Sequence, residues 1–182
     1  GMGYDDEILR IQHGAHLQNA NWMLGTIELT NGRVDLTHNG AIYTDARLEA
    51  TQVWFYANDQ WEAEGSELWV WSNGCTLTEC HFEHVQLHTQ FSKCLVTDSK
   101  FAGPNSGFDA QGGMFAFNST HFIRAEAVSE GIEITSSYND CVFADDSYIR
   151  DWSDRQLYVR RCLFSNTAQE AIKKQANTLT LE

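Results

Sequence analysis

Apolar side chains alternate with polar ones along much of this chain, and the alternation breaks at regular intervals. A small residue stands two places before phenylalanine at Cys80-His81-Phe82, Ser99-Lys100-Phe101, Thr120-His121-Phe122, Cys141-Val142-Phe143 and Cys162-Leu163-Phe164. Successive sites are 19, 21, 21 and 21 residues apart. Five and three positions before each small residue lie Cys75 and Leu77, Cys94 and Val96, Phe115 and Phe117, Ser136 and Tyr138, and Leu157 and Val159, all apolar or small. Residues two apart share one side of a strand, and an odd gap of three between such pairs requires a corner. Each repeat therefore reads as short strands joined by sharp turns. A unit of that size cannot bury its apolar side alone, whereas stacked copies build one continuous core. The expectation is an all-β, single-stranded parallel β-helix with roughly 19–21 residues per coil. About seven coils at roughly 4.8 Å each would make a rod on the order of 34 Å long.

The register extends upstream through Ala46, Leu48, Thr51 and Val53 and more faintly through Ile27, Leu29, Gly32 and Val34; downstream, Leu179 and Leu181 fit the start of another coil. Residues 1–182 thus form a single domain. Within it, 1–26 read as an N-terminal cap, either a short helix with Asp5, Asp6 and Glu7 at its start and Ile8, Ile11 and Ala15 at helical spacing, or an irregular first coil. The excess between Val53 and Leu68 reads as a lateral loop over 57–67, rich in acid.

The segment from Glu130-Gly131-Ile132-Glu133-Ile134 through Asn139-Asp140-Cys141-Val142-Phe143 resembles the repeats of pectin-lyase-like β-helix proteins, with their Gly-Ile-x-Ile and later Asn-x-Cys-x-Phe pattern. The resemblance covers about residues 70–170. It implies a right-handed coil and, as an activity, polysaccharide lyase or glycoside hydrolase chemistry. The chain carries no matching Asp-Asp, Gly-His-Gly or basic tripeptide motif of such enzymes. The run Cys75-x-Leu77, Cys80-x-Phe82, Val85-x-Leu87 is also similar to pentapeptide-repeat proteins, some of which are acidic rods that imitate DNA. That five-residue period breaks after Thr89, and the 21-residue steps and the loop Gly103-Pro104-Asn105-Ser106-Gly107 suit the pectin-lyase-like class better.

Charge narrows the partners. With 12 Lys plus Arg against 25 Asp plus Glu, the net charge is -13, which argues against nucleic acid or anionic lipid because both need basic clusters. A mimic of DNA is still permitted by the charge. No stretch approaches the roughly 18 apolar residues of a membrane span, and no charged-then-apolar signal segment opens the sequence, so a soluble protein is expected. The five cysteines form no zinc-site spacing. The register stacks Cys75 beside Cys94 and Cys141 beside Cys162, which reads as inert buried thiols at a separation too long for a relaxed disulfide.

Counting eleven residues back from each small position gives Trp69, His88, Asp109, Glu130 and Asp151 as one outward ladder. Three steps further along, the same count places Glu133 beside Asp154. Like charges about 5 Å apart repel unless a proton, cation or arginine intervenes. Three readings follow. The acids are solvated turn residues neutralised by Arg150 and Arg155; or Glu130, Asp151, Glu133 and Asp154 hold calcium, with no other cofactor required; or Asp109, Glu130 and Asp151 supply a general acid and base, with His88 tuned for proton transfer by Asp109. Trp69, Trp71 and Trp152 would stand outward as platforms for the rings of an oligosaccharide or polysaccharide, with Gly131 and Ala110 beside Trp152 leaving space. These rings, with the run Trp54-Phe55-Tyr56 and Trp61, fit equally packing under the lateral loop or a contact in a homo-oligomer. The histidines His81, His84 and His88 fall on different sides of the coil, which argues against a shared metal. Carbohydrate binding or a structural role, with a groove along the Trp69 to Asp151 flank, is the leading expectation.

Overall fold

The computed structural model of the protein describes residues 8–12, 16–18, 25–36, 41–57, 66–71, 73–131, 133–167, 170–174 and 178–182. Among the described residues 20 strands belong to one sheet, and each pairs in parallel with strands of the neighbouring coils. Three faces result. The first stacks Ile8–Gln12, Thr26–Thr30, Arg47–Thr51, Cys75–Thr78, 92–97, 113–118, Ile134–Asn139, Leu157–Arg160 and Leu179–Leu181. The second stacks His16–Gln18, Arg33–Leu36, Trp54–Ala57, His81–Glu83, 100–102, 121–123, Val142–Ala144 and Leu163–Ser165. The third stacks Ala41–Thr44, Ser66–Val70, 85–90, 106–111, 125–131, Tyr148–Ser153 and Ile172–Lys174. The result is a right-handed β-solenoid whose coil count is close to the seven expected. Burial falls away after Val159, where Leu163 is exposed and Phe164 and Ile172 are only partly covered.

Each repeat turns from the first face to the second through one left-handed residue: Asn31, Gln52, Glu79, Asp98, Ser119, Asp140 or Arg161, with φ between 48° and 56°. This corner is the source of the odd gap in the sequence. Its strain is offset by a backbone hydrogen bond to the next coil, such as Glu79 N to Thr97 O (3.0 Å) or Asp140 N to Arg160 O (3.0 Å). The small residue that follows turns inward and donates back to the carbonyl two positions earlier: Cys80 to Thr78, Ser99 to Thr97, Thr120 to Asn118, Cys141 to Asn139 and Cys162 to Arg160. A short side chain with a hydroxyl or thiol satisfies that carbonyl without crowding the axis.

Next comes phenylalanine, and the rings pile into one column along the second face. Phe55, Phe82, Phe101, Phe122, Phe143 and Phe164 stack with centroids 4.6–5.1 Å apart. Phe117 and Tyr138 of the first face meet Phe122 edge-on, closing the interior. Ile8–Gln12 pairs with Thr26–Thr30 in register, so a helix through Ile8 and Ile11 is ruled out; 1–7, 13–15 and 19–24 of the expected cap lie outside the described residues. Among the described residues there is no helix, and hence none long and apolar enough to cross a membrane. The lateral loop expected over 57–67 lies largely outside the described residues; Ala57 ends one strand and Ser66 begins the next.

Corner lengths decide which outward residues meet. Seven positions separate Leu87 from Cys94 and Phe108 from Phe115, but nine separate Ala127 from Ser136 and eight separate Ile149 from Leu157. The return from third to first face is therefore longer in the later coils. A count that assumes constant length slips there, and a one-residue slip moves a side chain to the opposite side of its strand.

Candidate functional site

On the outward side of the third face, the register sets Trp69 opposite His88 and His88 opposite Asp109, as expected. The Trp69 and His88 rings lie 4.2 Å apart and nearly parallel, at 7°. His88 Nδ1–H donates to Asp109 Oδ2 (3.0 Å), which leaves Nε2 3.6 Å from Glu67 Oε1. Trp69 Nε1–H donates to Glu67 Oε2 (2.8 Å). His88 is buried. An imidazole fixed by a carboxylate on one nitrogen and facing a second carboxylate with the other has the parts of a proton relay. Trp69 is not a free platform, because ladder residues stack along the rod axis and His88 covers one of its faces.

The ladder ends at Asp109. Its next neighbours are Val128 and Arg150, and Glu130 sits opposite Trp152. The expected pairing of Glu130 with Asp151 is thus corrected by the longer corner, as is the placing of Trp152 beside Gly131 and Ala110. Asp151 faces the interior, fully buried opposite Ser129. There its Oδ1 accepts from Ser153 N (2.9 Å), Ser153 Oγ (2.6 Å) and Lys174 Nζ (3.2 Å). Asp154 does lie beside Glu133, accepting from its backbone N–H at 2.7 Å, while Arg155 donates to Glu133 Oε1 at 3.0 Å. The four carboxylates expected around calcium are therefore divided between the interior and separate outward positions. Among the described residues, no three His, Cys, Asp or Glu side chains group to hold a metal ion.

The remaining aromatics are partly occupied. Trp71 and Trp152 are 40% and 42% exposed, and the Arg150 guanidinium lies 5.1 Å over the Trp152 ring. Trp54 stacks on His81 and receives Arg33 over its ring at 4.4 Å. Trp61 lies outside the described residues. His81 and His121 share an outward column with Lys100 between them; burial and Lys100 hold the His81 imidazole below its ordinary pKa.

A groove of about 860 Å³ opens on a different face. It runs over the first face from Arg47 and Thr76 across Lys93, Leu95, Met114 and Ala116 to Thr135, Ser137, Tyr158 and Arg160. Among the described residues no carboxylate lines it. Arg47 and Arg160 are paired with Glu49 and Glu182 at its margins, whereas Lys93 is exposed. Phe91 stands at the corner where the third face returns to the first. It is 65% exposed, with φ 52°, a left-handed conformation uncommon for a bulky residue. Its ring rests on Gly112 of the next coil, where a Cβ would come 2.7 Å from the ring. The backbones also approach closely here, since a Cβ on Gly113 would lie 2.0 Å from Ser92 O. Met114 and Leu95, 53% and 41% exposed, continue the apolar strip. Sequence reasoning missed this groove, although Phe91 too stands two places after a small residue, Thr89, out of phase with the repeat.

Cys75 and Cys94 form a disulfide between adjacent coils, with Cα atoms 4.6 Å apart, which corrects the expectation of thiols there. The two Cα atoms occupy directly paired positions in the first face, close enough for a bridge. Cys80, Cys141 and Cys162 are free. Comparison with protein-family models, curated proteins and solved structures found no match for this chain.

Proposed function

We propose that this protein is a carbohydrate-binding β-helix protein that lays an extended glycan along the first-face groove. The observation that carries the reading is Phe91. Beyond its contact with Gly112 the exposed Phe91 ring adds little to its corner, and the other left-handed non-glycine residues described are polar, so a bulky apolar one stands out; strain of this kind gathers where a ligand is met. Its ring, with Met114 and Leu95, offers apolar surface to the C–H faces of sugar rings. Thr76, Thr135, Ser137 and Lys93 offer hydroxyl and ammonium partners for sugar oxygens. Equivalent positions recur at the coil spacing of about 4.8 Å, close to the length of one pyranose unit in an extended chain. The resemblance to pectin-lyase-like repeats agrees with a polysaccharide ligand. A groove with no carboxylate among its described lining residues runs against imitation of DNA.

A glycan array probed with the wild type and Phe91→Gly tests the reading. Binding to at least one extended glycan, lost in the variant, is the expected result. Equal binding by both proteins would remove Phe91, and with it the groove, from the function.

The His88–Asp109 pair supports a second reading, an acid–base site for polysaccharide lyase or hydrolase chemistry. Here His88 would exchange the proton and Asp109 would hold its tautomer. Assays for reducing ends and unsaturated products with wild type, His88→Gln and Asp109→Asn test it. Product from the wild type that disappears in both variants is required.

A further inference from the structure

Cys141 and Cys162 stand at the same corner in the last two well-formed turns. Val142 and Leu163 pair in register immediately after them, and Leu163 N donates to Cys141 O at 2.9 Å. Both side chains follow the inward turn described above. Cys162 Sγ also reaches across to Tyr138 O at 3.4 Å, and Cys141 Sγ to Phe117 O at 3.5 Å. The first-face pair Cys75 and Cys94, likewise one coil apart, is already bridged. Cys141 is buried, whereas Cys162 is partly exposed at the end of the rod where burial falls away. Arg160 and Arg161, which precede Cys162, are paired with Glu182 and Asp140.

We propose that Cys141 and Cys162 form a redox-reversible staple between the last two turns, closing by exchange with a low-molecular-weight disulfide. In the first step the Cys162 thiolate attacks one sulfur of the small disulfide. A Cys162–S–S–R bond forms, RS⁻ leaves, and RS⁻ takes up the proton that Cys162 released. In the second, Cys141 gives up its proton and attacks the Cys162 sulfur, so that the Cys141–Cys162 bond forms and a second RSH departs. Two protein thiols are oxidised and one small disulfide is reduced to two thiols.

The roles follow from the surroundings. A hydrogen bond from Cys141 to its sulfur holds the Cys162 thiol below its ordinary pKa and raises that of Cys141, so Cys162 is the attacking group. Cys80 shares this inward column three coils away, beyond reach, and burial pushes its thiol up to about 11. At pH 8, a thiol at its ordinary pKa of 9.0 carries about a hundredfold more thiolate than one at 11; after the lower nucleophilicity of the more acidic thiol is allowed for, it reacts about tenfold faster. The depressed Cys162 should react about tenfold faster than Cys80 as well, because its larger thiolate fraction and its lower nucleophilicity nearly cancel.

The test treats the full chain with oxidised glutathione at pH 8, blocks remaining thiols with iodoacetamide and maps peptides by mass spectrometry. The expected product is a Cys141–Cys162 cross-linked peptide with Cys80 unoxidised and a Tm raised by several degrees. Cys141→Ser should trap glutathione on Cys162, and Cys162→Ser should leave Cys141 free. Serine fits this corner, since Ser99 occupies the same position. A wild type that keeps glutathione on Cys162 without forming the cross-link, or a Cys162 no more reactive than Cys80, overturns the proposal.

Discussion

Replacing Lys174 with methionine removes the cation that meets Asp151 inside the rod. Asp151 is fully buried and the Lys174 side chain is 7% exposed, so neither charge is screened by water. Three donors reach Asp151 Oδ1 in the wild type: Ser153 N, Ser153 Oγ and Lys174 Nζ. The substitution leaves two neutral donors, each worth about 1.5–3 kcal/mol toward a charged acceptor but already present before the change. The carboxylate then stays buried without a counter-charge, a situation that costs about 3–5 kcal/mol. For a chain of this length such a loss lowers Tm by about 6–20 °C. Urea denaturation of wild type, Lys174→Met, Asp151→Asn and the double variant measures it. Each single variant should be destabilised, and the double variant should lose at least about 2 kcal/mol less than the sum of the two. A Lys174→Met cost under about 1 kcal/mol with additive behaviour would refute the buried pair and return Asp151 to consideration as an acid exchanging protons with substrate.

Phe91→Gly relieves about 1–2 kcal/mol of left-handed strain, against about 0.5–1 kcal/mol of added chain entropy and the loss of modest ring contact with Gly112. Its stability should therefore lie within about 1 kcal/mol of wild type, whereas Phe101→Ala, in the stacked column, should cost about 3–5 kcal/mol by the same denaturation assay. The Cys75–Cys94 bridge closes a loop with a sequence separation of 19, so Cys75→Ala/Cys94→Ala should lose about 3 kcal/mol on the chain-entropy account; an unchanged midpoint would show that the bridge does not restrict the unfolded chain. His81 is a base whose folded pKa lies below its unfolded value, so protonation favours the unfolded chain. Its contribution is fully present above about pH 6.5 and is lost as pH falls below that value. Stability measured between pH 7.5 and 5 should fall more steeply in wild type than in His81→Gln, and parallel curves would contradict this assignment.

The first and second faces were legible because their spacing is rigid. One left-handed residue makes every corner between them, so the interval from Cys75 to Cys80, or from Leu157 to Cys162, is the same in each coil. Phe101, Phe122, Phe143 and Phe164 could therefore be aligned by counting. On the third face, counting worked only while corner length held, which is why Trp69, His88 and Asp109 were placed together and Glu130 and Asp151 were not. Asp151 was also misread because an acid in an alternating strand is ordinarily outward, and the partner that allows burial, Lys174, lies 23 residues away in the next coil.

The groove was hidden for a related reason. Outward residues of the first face carry no common signature: Thr76, Leu95, Ala116, Ser137 and Tyr158 share a column but no chemistry. In a solenoid, the columns that repeat are those that must pack against themselves, and the residues free to meet a ligand are those the repeat leaves unconstrained. Phe91 belongs to the second kind. It lies out of phase with the phenylalanine column, takes a backbone conformation that its side chain disfavours, and is followed in the next coil by Gly112, which makes room for its ring. In a chain read by its regularities, such departures are the places to look for function.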